Sequence, residues 1–294
     1  MTRAMERSPG DNYTATEIIY LSQIRDLLDA VPELHRVRES HVRVRPKPTS
    51  QIGVDDAATN PTELSHMVTY CQNVAIDNLR SLELLLRAKP PGIFLPQYGA
   101  YPLIRAVIES SAQAVWMLRP NESRERIART LRARRGEVKH ELGLRQLMNA
   151  PDDSDSPQVR KAKATARQDA AIAAKWWDKT VARLAGEAGI TAAATSEGTP
   201  GYGPLLEDAS IALGVPGAYS RSIWHMVSGL SHPSSTRGLA FSRVEELPGT
   251  TSRLKVTRMT ADPRVVQSAL SLGVAFYQAA EDLLVTRLLT PATR

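Results

Sequence analysis

The 294-residue chain is short of several things at once: it has one cysteine, Cys71, only three phenylalanines, and no apolar run approaching the roughly 18 residues that a membrane span requires. A lone cysteine excludes a disulfide scaffold and any cysteine-built zinc or iron–sulfur site. Residues Met1 to Asp11 are polar where a secretory signal needs an apolar core, so the expected setting is the cytoplasm, with no membrane partner. Gly-rich phosphate loops are missing too: neither a Gly-x-Gly-x-x-Gly turn between strand and helix nor a Gly-Lys-Ser/Thr loop occurs. The nearest approach to a serine-hydrolase elbow, Ser228-Gly229-Leu230-Ser231-His232, lacks the flanking glycine and the strand. The six histidines show no i, i+4 pairs and no nearby carboxylate ligands, so no metal and no other cofactor is expected.

What the chain does have is an ordinary globular balance. It is 42% hydrophobic, and 37 Lys and Arg against 31 Asp and Glu leave a net charge of +6. That excludes disorder, collagen and coiled-coil fibres, and leaves enough apolar material for one large domain or two small ones.

Helical periodicity dominates. Asn60-Pro61-Thr62-Glu63 reads as a capped helix start and Lys89-Pro90-Pro91-Gly92 as a stop. Between them Leu64, Met67, Val68, Cys71, Ala75, Leu79, Leu82 and Leu86 recur every three or four residues, which makes one buried stripe. The same reasoning predicts helices over 14–30, 100–118, 123–148 and 157–188, and a C-terminal one from Asp262-Pro263 to about Leu289. The helix from 100 reads as mostly buried and the one from 123 as mostly solvated. The latter pairs with 157–188, whose inward side is Trp176, Val181 and Leu184, in a long antiparallel hairpin over about 121–188. Shorter helical patterns lie at 205–213 and 219–230, after a loop over 191–203. Only Gly238 to Val244 and Ser252 to Met259 read as strands, around a turn at Leu247-Pro248-Gly249-Thr250. The expected fold is an all-α multi-helix bundle with a small β-hairpin at about 238–259. An N-terminal helix and mobile connection would occupy 1–59, with the connection over 36–56, and the bundle domain 60–294.

Three constellations could carry chemistry. Arg105 and Glu109, with Trp116 further along, share one side of an otherwise apolar helix. Because an unpaired buried charge is costly, they are either an internal ion pair or the lining of a polar pocket with Trp116 as a wall. A run from Arg124 to Arg145 surrounds its helix with charge, and is either a solvated face or a phosphate-binding one. Within it Arg134 or Arg135 precedes His140 by six or five residues, a permanent cation beside a group titrating near neutrality, which suits RNA cleavage. Finally, Tyr219-x-Arg221-x-x-Trp224-His225-x-x-Ser228-x-x-Ser231-His232 sets Ser228 and His232 four residues apart. They either cap a helix end or face the same pocket as Arg105 and Glu109.

The segments Tyr101-Pro-Leu-Ile-Arg105-Ala-Val-Ile-Glu109 to Leu118 and Trp224-His-Met-Val-Ser228-Gly-Leu-Ser-His232 resemble bacterial members of the HEPN superfamily of helical bundles, over about residues 62–235. The resemblance implies a homodimer acting in stress response or defence that binds RNA or a nucleotide. In catalytic members it implies metal-independent ribonuclease chemistry, with His140 as general acid or base and Arg134 or Arg135 on phosphate. Arg105, Glu109, Trp116, Ser228 and His232 would shape the pocket. Gly136 and Glu137 depart from the usual motif, in which a polar residue follows the Arg. Beside this stand two other readings: a non-catalytic helical interaction or scaffold protein, and a small-molecule sensor using the apolar pocket beside Trp116.

Overall fold

The computed structural model describes residues 13–87, 92–247 and 257–292. The fold is all-α with one small β-hairpin: among the described residues, helices account for nearly all regular structure. The expected stop at Lys89-Pro90-Pro91 and the hairpin turn beyond Leu247 lie outside the described residues, as does Met1 to Asp11. No helix among the described residues is long and apolar enough to cross a membrane.

Contacts divide the chain into two compact units. The first comprises Met1–Arg45, Val68–Trp116 and Tyr202–Val285. It opens with α1 (Ala15–Asp29), whose Thr14 and Glu17 form a reciprocal capping box. Helix α2 (Val31–Val42) follows, in part of the stretch expected as a mobile connection. Arg38 of α2 is only 2% exposed because carboxylate and carbonyl partners receive it. Most of α4 (Leu64–Leu86), α5 (Ala100–Leu118) and α12 (Pro263–Leu289) belongs here as well. Their apolar faces supply Leu79, Leu82, Ile104, Val107, Ile108, Val266 and Phe276 to the core. Where α12 passes α5, a Cβ on Gly273 would sit 3.0 Å from a Val107 methyl, so a side chain there would have to push Val107 aside by a few tenths of an ångström. Helices α9 (Tyr202–Ala209), α10 (Gly217–Leu230) and α11 (Ser235–Ala240) lead into the antiparallel pair β1 (Ser242–Glu246) and β2 (Thr257–Ala261). The first strand begins four residues later than its sequence pattern, and the second runs two residues beyond it, to Ala261. Gly238 to Ala240, read as the start of a strand, closes α11 instead, whose cap is the Ser234 hydroxyl.

The second unit comprises Pro46–Met67, Met117–Gly201 and Thr286–Arg294. Here α3 (Gln51–Thr59) fills the rest of the expected connection, with the Ser50 hydroxyl accepting from Gly53 N–H at its start. The cap expected of Asn60 on α4 comes from elsewhere: Asp56 of α3 accepts from the Ser65 N–H at 2.8 Å, and the helix begins at Leu64. Helices α6 (Ser123–Met148) and α7 (Pro157–Glu187) form the long hairpin as expected. The loop predicted after it contains the short helix α8 (Ala192–Ser196). One apolar cluster, including Ile127, Leu131, Val181, Leu184 and Ile190, joins the base of the hairpin. Trp176 corrects the sequence reading. It is 52% exposed, while its neighbour Trp177 takes the inward position beneath Arg134 at 3.9 Å. Nor is α6 solvated throughout: Arg126 is buried against Asp55, with Nε 2.5 Å from Oδ2. Arg287 donates to Gln51 and to the Pro120 carbonyl, and the Ala292 N–H donates to Thr49 O, which ties the chain end to the start of α3.

Candidate functional site

In the first unit, two constellations separated by more than a hundred residues meet. Arg105 of α5 donates from Nε to Glu109 Oε1 at 2.6 Å, one helical turn away. Its Nη1 lies 3.2 Å from His232 Nε2, just past the end of α10. Trp224 of α10 donates from Nε1 to the same Glu109 oxygen at 2.8 Å. Glu109 is thus the hub: one carboxylate oxygen takes both the guanidinium and the indole, which fixes the facing sides of α5 and α10.

Aromatic rings surround this hub. The Tyr202 ring centroid is 6.0 Å from that of Trp224, and His225 is tilted against Trp224 at 4.8 Å. Burial pushes the Tyr202 hydroxyl up to about 12, the Glu109 charge adds to the shift, and Arg105 opposes it. The outer side is open: His232 and His225 are exposed, and Arg105 retains 27% side-chain exposure. The exposed Arg237 side chain crosses Gly229, where an added Cβ would meet its guanidinium. The cluster therefore presents cationic groups beside aromatic faces while its one carboxylate is satisfied from within. Such a set can bind an anion next to a planar ring.

Of the expected pocket residues, Arg105, Glu109 and His232 come together. Ser228 is half-buried four residues before His232, but α10 ends at Leu230, so the two are not stacked on one helix. Trp116 is buried to 3%, two turns beyond Glu109 in the core. Trp224 and Tyr202 complete the cluster, and neither was assigned to it from sequence. The aromatic-rich run around Trp224 was the available signal.

The second unit holds Arg134, Arg135 and His140 without assembling them. Arg134 pairs with Glu137 at 3.1 Å and stacks on Trp177; Arg135 pairs with Asp178 at 3.2 Å and donates to the Thr195 carbonyl. At about 100° per residue, His140 points roughly 240° and 140° around α6 from these two arginines. It is exposed, with no hydrogen-bond or ion-pair partner among the described residues. A cavity of about 610 Å³ between α6 and α7 is lined by Arg134, Glu137, Glu141, Arg145, Asp169 and Trp177, among others, but not by His140.

One polar centre was not anticipated. Glu281 of α12, 8% exposed, accepts from Arg38 at 3.1 Å and from Gln72 at 3.0 Å, and lies 2.6 Å from His41 Nδ1. Arg38 also donates to Asn73 and to the Thr69 carbonyl. The centre clamps α2 to α4 and α12, with cavities of about 560 and 410 Å³ beside it. Burial and the Glu281 charge raise the affinity of the Tyr277 hydroxyl for its proton. The sequence signal, legible afterwards, is a Gln and a Glu placed on otherwise apolar helix faces.

Among the described residues no cluster of three or more His, Cys, Asp or Glu is placed to hold a metal ion. No protein-family model, curated protein or solved structure matches the chain.

Proposed function

We propose that the chain is a HEPN-like protein that binds RNA or a nucleotide at the Arg105–Glu109–Trp224–His232 cluster. The observation that carries this reading is the cluster's composition: Arg105 and His232 face each other at 3.2 Å beside the rings of Trp224, His225 and Tyr202. Phosphate suits the Arg105 guanidinium and a nucleobase suits the rings. The resemblance supplies the stress-response or defence setting and the homodimer, which sedimentation of the purified chain tests.

Binding is the better-supported half of this reading. Cleavage would require His140 to work with Arg134 or Arg135, and those arginines are held by Glu137, Trp177, Asp178 and Thr195. The test is fluorescence anisotropy of labelled RNA and of a labelled nucleotide, with wild type beside Arg105→Ala and His232→Ala. The expected result is at least a tenfold loss in each variant. Equal affinity in all three would overturn the assignment. Incubation of the same RNA in EDTA with wild type and His140→Ala reads cleavage separately; cleavage lost in the variant would restore the ribonuclease reading.

A further inference from the structure

The charge of the chain is unevenly distributed. Residues 121–188 contain 15 Lys and Arg against 10 Asp and Glu, a net +5 of the +6 carried by the whole chain. Within α7 most cations are occupied: Arg160 donates to the Asp155 carbonyl, Lys163 pairs with Asp155, Arg167 donates to the Asn149 carbonyl, and Arg183 pairs with Glu187. Lys161, Lys175 and Lys179 are different. All three are exposed, and none has a hydrogen-bond or ion-pair partner among the described residues.

These three lysines share one outer face. At about 100° per residue, Lys161, Thr165, Gln168, Ile172, Trp176 and Lys179 fall within an arc of about 80°, and Lys175 borders it. From Lys161 to Lys179 the strip runs about 27 Å at 1.5 Å per residue. Every residue on it is exposed, including Ile172 at 60% and Trp176 at 52%. Of the acids of α7, Asp178 is tied to Arg135 and Glu187 to Arg183, while the exposed Asp169 lies about 20° beyond Trp176, on the side opposite Lys175, and lines the cavity shared with α6. The result is a row of free ammonium groups and neutral hydrogen-bonding side chains around one exposed indole.

We infer that this face of α7 is a docking strip for single-stranded RNA, with Lys161, Lys175 and Lys179 on phosphates and Trp176 stacking on a base. Charge complementarity selects a polyanion. The exposed indole selects an unpaired strand, because bases in a duplex are already stacked on each other. The inference rests on the RNA-binding reading above and deepens it by naming the nucleic-acid class and a second surface for it.

The test is the salt dependence of binding of a labelled single-stranded oligoribonucleotide to the full chain. The variants are the triple Lys161→Gln, Lys175→Gln, Lys179→Gln and the single Trp176→Ala, all at exposed positions, with circular dichroism to confirm folding. Each phosphate contact contributes about 0.7 to the slope of log K against log salt on a single strand, so the triple variant should flatten the slope by about 2. Trp176→Ala should weaken binding roughly 5- to 150-fold with the slope unchanged. An unchanged slope in the triple variant overturns the strip; if Arg105→Ala still weakens binding in that case, the RNA-binding reading stands alone. Equal affinity for a duplex of the same sequence, or a strip buried in self-association that the Trp176 variant abolishes, also overturns it. No binding by wild type removes both.

Discussion

Removing Arg126 should be among the most damaging single changes available in the second unit. Its guanidinium donates from Nε to Asp55 Oδ2 at 2.5 Å and from Nη1 to the carbonyls of Pro120 and Asn121 at 2.9 and 2.6 Å. Side-chain exposures are 2% for Arg126 and 0% for Asp55, so water cannot replace what is lost. Arg126→Ala leaves a buried carboxylate with only the Ser123 hydroxyl and the more distant Arg287 near it. Breaking such a pair costs about 3–5 kcal/mol. At 2–4 °C per kcal/mol for a chain of this size, that is a fall in melting temperature of roughly 6–20 °C. Burial already raises the Asp55 pKa, against the pull of Arg126, and loss of the cation raises it further. A carboxyl whose folded pKa lies above its unfolded value binds more protons when folded. Its contribution to stability is present at low pH and lost as pH rises through the folded value. The deficit of the variant should therefore shrink on acidification, by up to about 1.4 kcal/mol per pH unit, and the double variant Arg126→Met, Asp55→Leu should recover most of it. Urea unfolding followed by circular dichroism at pH 7.5 and pH 5 measures this. A deficit below about 1 kcal/mol at pH 7.5, or one that grows at pH 5, would refute the reasoning.

Glu281→Ala strips Arg38, His41 and Gln72 of their shared acceptor, so the first unit should lose about 3–5 kcal/mol, read by the same denaturant titration; a loss within 0.5 kcal/mol, roughly what a surface change costs, contradicts a buried clamp. Gly53→Ala places a methyl 1.9 Å from the Lys47 carbonyl oxygen and should cost about 1–3 kcal/mol, with an unchanged thermal melt as the opposing result. Burial raises the Asp56 pKa despite its bond from Ser65 N–H, so its stabilising share is fully present below the usual carboxylate value and is lost as pH rises. Asp56→Asn keeps an acceptor for that N–H and removes the titration, so its melting temperature should gain on that of wild type between pH 4.5 and pH 7; a constant difference opposes this.

Much of the helical layout was legible because local signals and burial agree. Asp262-Pro263 opens α12, and Ser156-Pro157 opens α7 with the serine hydroxyl accepting from Val159 N–H. Helices α2 and α3 were hidden by their own charges and prolines. Arg38 and Asp55 fall in the stretch read as a mobile connection, and their partners lie 243 and 71 residues away. Pattern alone cannot announce a long-range ion pair. For the same reason α6 read as a solvated helix although Arg126 is buried in it. The convergence of Arg105, Glu109 and His232 was visible as an expectation because each interrupts an apolar helix or its end. Trp224 joined them only through the crossing of α5 and α10. The motif Arg134 or Arg135 with His140 shows the limit of spacing as a guide: five or six residues along a helix turn side chains to different sides.

The most direct test of the account is to crosslink a photoreactive RNA to the folded chain and map the modified peptides. Binding at the Glu109 hub predicts adducts on the peptides holding Tyr202, Trp224 and His225, lost in Arg105→Ala. Adducts confined to peptides remote from these residues, or a pattern indifferent to Arg105, would contradict it.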